Sequence, residues 1–189
     1  MQGLEAFAVI NAIAYVFLAA RQSIWCWLFA FVSTVCYVVV FWQVSLPFQT
    51  ALNAYYVLMA GYGYWQWQGS KDDKKPVTTM TIRQHILIVG GILITTLVVA
   101  QIWREIAFTP FVHVDVFVTI ASVTTTVLVA HKKLENWLYW IVINMVTAWL
   151  CWQVSLYLTS GLYLLYCGLS IYGHWQWRKD SGPQARATN

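Results

Sequence analysis

Trp42-Gln-Val-Ser-Leu46 recurs letter for letter as Trp152-Gln-Val-Ser-Leu156 in the second half of the chain. With the shift that joins these two stretches, residues 27–67 align on 137–177 without a gap and give 15 identities in 41 pairs. Chance would give only a few identities, so the register indicates that one unit of about 65 residues was duplicated. Repeats of this kind have mechanistic meaning most often in membrane transporters.

The composition is that of a membrane protein rather than a soluble one. Apolar residues make up 60% of the 189 positions and charged residues 10%, with a mean hydropathy of +0.60. A soluble domain of this size could not bury so much apolar surface. Since roughly 20 residues cross the hydrocarbon as a helix, the nearly charge-free runs predict seven membrane-spanning helices. These runs are about 4–20, 24–42, 48–67, 85–103, 111–130, 137–156 and 158–177.

The basic residues predict how the chain is oriented. Seven spans place the two termini on opposite sides, and ten of the eleven Lys and Arg residues then fall on one side, with only Arg104 on the other. Basic loops face the cytoplasm. The sequence therefore predicts a multi-pass protein of the bacterial inner membrane with its N-terminus outside and its C-terminus cytoplasmic. The basic residues are loop ends, so no nucleic-acid partner is expected.

The predicted fold class is an all-α membrane protein with seven transmembrane helices in a 3+1+3 arrangement of two parallel three-helix repeats. A single helix between the two units makes equivalent helices enter the membrane in the same direction, so the repeats are parallel rather than inverted. The predicted segments are a first three-helix repeat at 1–67, a cytoplasmic linker at 68–84, a connecting helix four at 85–110, a second three-helix repeat at 111–177 and a cytoplasmic tail at 178–189.

Aromatic motifs at helix ends carry a resemblance to a known family. They are Gly61-Tyr-Gly-Tyr-Trp-Gln-Trp67, Trp137-x-x-Trp140 and Tyr172-Gly-His-Trp-Gln-Trp177. With the 3+1+3 pattern, the chain from residue 4 to 178 resembles the bacterial Pnu vitamin transporters, whose type member carries nicotinamide riboside. The resemblance implies facilitated diffusion of a vitamin or vitamin nucleoside, with thiamine or riboflavin as alternative substrates. It also implies a homo-oligomer, namely a trimer.

One face of the sixth predicted helix combines a large ring with an amide. Trp140, Asn144, Thr147 and Cys151 follow one another at spacings of four, three and four, which places them on one helix face. An amide near mid-membrane needs a partner. That partner is either a hydrogen bond to another helix or a bound solute, in which case the Trp140 ring could stack on a flat cationic heterocycle.

The other candidate substrate-binding residues lie in helices two, three and seven. Tyr56 and Tyr166 are equivalent in the two units, whereas their neighbours Asn53 and Tyr163 differ, as expected if a symmetric frame holds an asymmetric solute. Helix packing explains each of these residues equally well. The full set of substrate-binding candidates is Trp140, Asn144, Tyr166, Tyr163, Asn53, Tyr56, Gln49, Thr34, Tyr37 and Ser170.

Four glutamines occupy matched positions at the helix ends. Gln43 and Gln153 lie at the outer ends of helices two and six, and Gln66 and Gln176 lie at the inner ends of helices three and seven. Each pair is a candidate gate, although amides at helix ends are also ordinary helix terminators.

Ten tryptophans lie at predicted helix ends, where amphipathic rings favour the lipid headgroup region. We therefore expect most of them to anchor the helices in the interface. They are Trp25, Trp27, Trp42, Trp65, Trp67, Trp103, Trp137, Trp152, Trp175 and Trp177.

Several classes of function lack the residues they need. No charged side chain lies near the centre of a predicted span, which argues against coupling to protons or ions. Neither a Gly-rich phosphate loop nor an HExxH motif is present, so the sequence predicts neither an enzyme nor an ATP-driven pump. The four cysteines lack CxxC spacing, so no metal or cofactor is expected. The alternative to a transporter is a membrane sensor or assembly subunit whose aromatic faces only pack helices together.

Overall fold

Seven α-helices make up the described part of the chain, and the predicted count of seven is confirmed there. The computed structural model describes residues 2–43, 47–68, 76–104, 111–153, 155 and 157–181. The helices are α1 (Gln2–Ala20), α2 (Cys26–Gln43), α3 (Pro47–Trp67), α4 (Ile82–Arg104), α5 (Val112–Ala130), α6 (Asn136–Gln153) and α7 (Tyr157–Asp180). α3 starts at a proline, whose missing N–H costs nothing at the first helical position.

Six of the helices pack as a closed ring. In order around the ring they are α1, α2, α3, α5, α6 and α7, and α7 packs back against α1. α4 lies outside the ring on α5, and its first turn reaches α6 through a 2.9 Å hydrogen bond between His85 and Tyr139. If α1 and α5, α2 and α6, and α3 and α7 exchange places, every helix keeps the same kind of neighbours around the ring.

Two helices are long and apolar enough to cross a membrane by length and composition alone, Ile82–Ile102 and Val112–Ala130. The apolar stretches Ala6–Ala20 and Cys26–Val40 are shorter. α3 and α7 are the least apolar of the described helices because they carry amides, hydroxyls and aromatic rings along their length. α3, for example, contains Asn53 together with four tyrosines.

The turns after α1 and α5 have the same backbone geometry. Gln22 and Lys132 are equivalent positions of the two units, and both have a positive φ, 54° and 52°. Around Gln22, the Gln22 N–H donates to the Ala19 carbonyl and the Ser23 N–H to the Leu18 carbonyl. This is the Schellman ending of a helix, and the Lys132 turn repeats it at the equivalent atoms. Glycine usually occupies this left-handed position, yet neither turn has one.

Four tryptophans pack together at the end of the ring that carries these two turns, and we call this region the tryptophan end. Trp27 lies against Gly63, and its equivalent Trp137 lies against Gly173, so closely that a Cβ on either glycine would overlap the indole. The Trp27 and Trp67 rings meet edge to face at 5.4 Å between centroids, and Trp137 and Trp177 do the same at 5.4 Å. The Trp67 and Trp177 rings approach each other at 5.9 Å.

The prediction that these four tryptophans anchor the protein in the interface is wrong. Trp27, Trp67, Trp137 and Trp177 are between 0% and 6% exposed, whereas Trp25, Trp65 and Trp175 are more than half exposed. Three of the four buried rings belong to Trp-x-Trp motifs, at 25/27, 65/67 and 175/177, whereas position 135 before Trp137 is a glutamate. Residues two apart on a helix point to different sides. One ring of each pair therefore faces outward and the other enters the core.

Trp177 and Trp175 offer a matched test of this division. Trp177 is fully buried and its indole N–H donates to the Ala19 carbonyl at 3.0 Å, whereas Trp175 is 54% exposed. We expect Trp177→Phe to lower the free energy of unfolding by about 2–4 kcal/mol, since it removes a buried hydrogen bond and leaves a cavity unfilled. Thermal unfolding in detergent should show a lower Tm for Trp177→Phe and a nearly unchanged Tm for Trp175→Phe. Equal Tm values for the two variants would contradict the burial of Trp177.

Candidate functional site

Tyrosine hydroxyls from several ring helices come together inside the ring. The Tyr56 hydroxyl on α3 lies beside Ser122 on α5. Across the ring, the Tyr163 and Tyr166 side chains on α7 both lie near Tyr37 on α2. The Tyr163 and Tyr166 rings meet at 5.9 Å and 78°. All four tyrosines are half-buried, so the structure brings these predicted residues together.

Tyr15 on α1 belongs to the same interior group. Its ring lies 6.1 Å from that of Trp27, and its hydroxyl interacts electrostatically with Tyr56. Asn11, one turn earlier, is buried, and its amide donates to the Phe7 carbonyl at 2.7 Å. Tyr15 therefore connects the tyrosine group to the tryptophan end.

The predicted face of α6 points into the protein. Asn144, Thr147 and Cys151 are all buried, and Trp140 is half-buried against the apolar clusters on either side of it. The Asn144 amide donates to the Ser170 hydroxyl on α7 at 3.4 Å. That distance is at the long end for a hydrogen bond, so Asn144 is held only weakly by α7.

Three hydroxyls of the interior are already used within their own helices. Thr34 donates to the Ala30 carbonyl, Thr147 to Ile143 and Ser170 to Tyr166, each at 2.8 Å. A hydroxyl has one proton to donate, so these groups can only accept further hydrogen bonds. The Asn144 amide has two protons, so it retains a donor that the threonines and the serine lack.

The remaining predicted site and gate residues are spread along the bundle. Asn53 is buried on α3, and the side chain of Gln49 lies outside the described residues. Gln43 and Gln153 are exposed at the last residues of α2 and α6. Gln66 donates to the Tyr62 hydroxyl at 3.0 Å, and that hydroxyl lies 2.9 Å from His131 Nε2. Gln176 is half-buried on the last turns of α7.

Sequence reasoning missed the polar pair at the tryptophan end. Lys132 is 4% exposed, and its ammonium donates to Gln22 Oε1 at 3.4 Å and lies 4.7 Å from the centroid of the Trp67 ring. Gln22 and Lys132 are equivalent under the repeat shift, so the register itself could have paired them. Lys132 was counted only as one of the basic loop ends, because it lies outside the predicted helices.

The interior offers neutral donors, acceptors and rings, and the sequence places no Asp, Glu, Lys or Arg within 6–20, 26–43, 47–67, 116–130, 137–153 or 157–177. Such groups can hold a polar uncharged or cationic solute but carry no nucleophile–base pair. A ring of helices around an interior of this kind is typical of a small-solute carrier.

The comparisons with known proteins name the family. The model of the nicotinamide mononucleotide transporter family matches residues 2–179, and the chain belongs to this family of membrane-embedded transporters. The nicotinamide riboside transporter PnuC of Neisseria mucosa is 24% identical over 191 residues, which cover 93% of this chain and 72% of the relative. The crystal structure of the vitamin B3 transporter PnuC matches with a TM-score of 0.76 and 25% identity, over 94% of this chain and 81% of that chain.

Proposed function

We propose that this chain is a facilitative carrier of nicotinamide riboside that works by alternating access in a bacterial inner membrane. The family match over nearly the whole chain carries this proposal, because it coincides with an interior of phenol, amide and indole groups. The proposed binding residues are Asn144, Asn53, Trp140, Tyr37, Tyr56, Tyr163 and Tyr166. In this proposal the amides and phenols hydrogen-bond the ribose and carboxamide, and an aromatic ring stacks on the pyridinium.

The charge of the interior favours the riboside over the mononucleotide. A phosphate monoester needs cationic or multiple N–H partners when it leaves water, since an unpaired buried charge is very costly. The stretches 6–20, 26–43, 47–67, 116–130, 137–153 and 157–177 of the ring helices contain no Lys or Arg. The pyridinium of nicotinamide riboside is a delocalised cation that aromatic faces can stabilise without a carboxylate.

The same absence of charge favours an uncoupled mechanism. Carriers that couple transport to protons or ions usually hold an ionisable residue within a span. We infer that solute binding alone drives the exchange between outward-open and inward-open states. Capture by phosphorylation inside the cell would then make uptake one-way.

The proposed architecture is 3+1+3, with repeats at 1–67 and 111–177, a linker at 68–84, helix four at 85–110 and a tail at 178–189. The closed order of six ring helices, with α4 outside it, supports this arrangement. Large aliphatic side chains of α4 are exposed along its length, among them Ile86, Ile94 and Leu97, which favours contact with lipid. The excess of basic residues on one side favours a cytoplasmic C-terminus, and family likeness alone favours a trimer.

Uptake into proteoliposomes tests the function. Purified protein in liposomes should equilibrate labelled nicotinamide riboside without an ion gradient, and unlabelled riboside inside should accelerate uptake by exchange. Excess nicotinamide mononucleotide should leave uptake unchanged. Strict dependence on a proton gradient, or competition by the mononucleotide at the strength of the riboside, would refute the proposed mechanism.

The same preparation separates the alternatives. Competition by thiamine or riboflavin in place of the riboside would keep the mechanism and change the substrate. A sensor or assembly subunit would show neither uptake nor exchange with any of the three vitamins.

A further inference from the structure

The tryptophan end is closed by reciprocal bonds between the two halves of the ring. Trp67 on α3 donates its indole N–H to the Ala130 carbonyl at the end of α5, at 3.1 Å. Trp177 on α7 donates to the Ala19 carbonyl near the end of α1, at 3.0 Å. Each half therefore holds the other through a tryptophan at the same position of its repeat.

A chain of polar side chains runs across the same end. Lys132 Nζ donates to Gln22 Oε1 at 3.4 Å, and Gln22 Nε2 donates to Asp180 Oδ2 at 2.8 Å. These three residues belong to the turn after α5, the turn after α1 and the last residue of α7. The Gln22 amide thus bridges a buried ammonium and a carboxylate from the opposite half of the ring.

The two turns and two of the indoles at this end carry identifiable costs. Gln22 and Lys132 both occupy the left-handed backbone region, which costs a non-glycine residue about 1–2 kcal/mol. The indole N–H groups of Trp27 and Trp137 are buried without a hydrogen-bond partner in the described part of the chain. A glycine at position 22 or 132 would remove the backbone cost, but it would also remove the side chain that crosses the end.

We propose that Lys132, Gln22 and Asp180 form a latch that keeps the tryptophan end closed and that opens each time solute passes that end. This proposal rests on the proposed function. It places the gate of the carrier at residues 22, 132 and 180 rather than at the four predicted glutamines. Opening separates the Lys132 turn from the Gln22 turn and lets water reach the unpartnered indoles.

Cys26 is a built-in reporter of this opening. Its thiol is fully buried in the tryptophan cluster at the start of α2, beside Trp27 and near Lys132. In a background with Cys36, Cys151 and Cys167 replaced by Ala, a membrane-impermeant maleimide should alkylate Cys26 slowly in vesicles of either orientation. Gln22→Gly cuts both hydrogen bonds of the latch and leaves every charge in place. It also suits the positive φ, which belongs to the backbone hydrogen bonds of the turn itself rather than to the latch.

We expect Gln22→Gly to raise the Cys26 alkylation rate about tenfold, from one membrane side only. A tenfold change corresponds to about 1.4 kcal/mol, the scale of one or two net hydrogen bonds. Asp180→Ala cuts only the outer bond and should raise the rate in the same direction. This exposed carboxylate lies at a helix C-terminus, where negative charge is unfavourable, so its removal does not weaken α7.

Ser155→Gly is the matched control. Ser155 also has a positive φ, 62°, but it lies in the turn between α6 and α7 at the other end of the bundle, so the Cys26 alkylation rate of this variant should equal that of the background. Unchanged Cys26 rates in both Gln22→Gly and Asp180→Ala would overturn the latch. Faster Cys26 alkylation in a protein that shows no riboside uptake would instead refute the proposed function without contradicting the latch.

Discussion

Gly63→Ala and Gly173→Ala should each leave little folded protein. The Cβ added at Gly173 would lie 2.7 Å from three ring atoms of Trp137, and the Cβ added at Gly63 would lie closer still to Trp27. Neither indole can withdraw, because each is 2–3% exposed and is packed edge to face on a second tryptophan. Overpacking of a filled core costs about 1–3 kcal/mol or more, a large part of a total stability of about 5–15 kcal/mol.

The recovery of monodisperse protein in detergent and its Tm measure this effect, and Gly61→Ala and Gly168→Ala are the controls. Both of these glycines are helical and have nothing within 4 Å of an added Cβ, so alanine there should be neutral or stabilising by about 0.5–1 kcal/mol. Adding Trp27→Phe to Gly63→Ala should restore part of the lost Tm, because neighbouring substitutions couple. A Gly63→Ala protein with the parental Tm would contradict the packing.

The duplication was predictable because identical residues recur at matching positions of the two halves. The identity of Trp42–Leu46 with Trp152–Leu156 sets a register, and every matched structural pair described above obeys it. The seven helices were predictable for a similar local reason, since apolar runs of helix length are separated by short polar or turn-forming segments. Gly63 and Gly173 are part of that register. That they make room for the indoles of Trp27 and Trp137 depends on contacts between helices, which the register does not reveal.

The order of the helices around the ring was not predictable from periodicity, because a helix with polar residues on several faces does not indicate its neighbours. Trp65 and Trp67 illustrate the limit, since both are aromatic, both lie in the last turn of α3, and only one is buried. The Lys132–Gln22 contact was hidden for another reason. A lysine between two predicted helices is normally interpreted as a solvated loop residue. Lys132 is buried because the tryptophans of the tryptophan end pack against it.

Asn144→Ala should reduce riboside uptake at least about five-fold while the protein still folds. The only described hydrogen bond of the Asn144 side chain, to Ser170, is long at 3.4 Å, so its loss costs the fold little. Losing a solute hydrogen bond to a buried amide costs about 1–3 kcal/mol, which is roughly a five-fold to hundred-fold loss of affinity. Initial rates in proteoliposomes, normalised to the amount of reconstituted protein, measure the difference.

Ser170→Ala separates a binding role of Asn144 from a packing role. Ser170 is the residue that Asn144 contacts, its hydroxyl donates to Tyr166 within α7, and the equivalent position in the first repeat is Ala60. If Asn144 acts only by joining α6 to α7, both variants should impair uptake equally, because each removes the same bond. If its amide binds solute, Ser170→Ala should transport at nearly the parental rate. Asn144 and Thr34 occupy equivalent positions of the two repeats but differ in side chain. Thr34 donates its only proton to the Ala30 carbonyl, so it has no donor left for a solute. A binding role of Asn144 would then explain this difference, whereas helix packing would not.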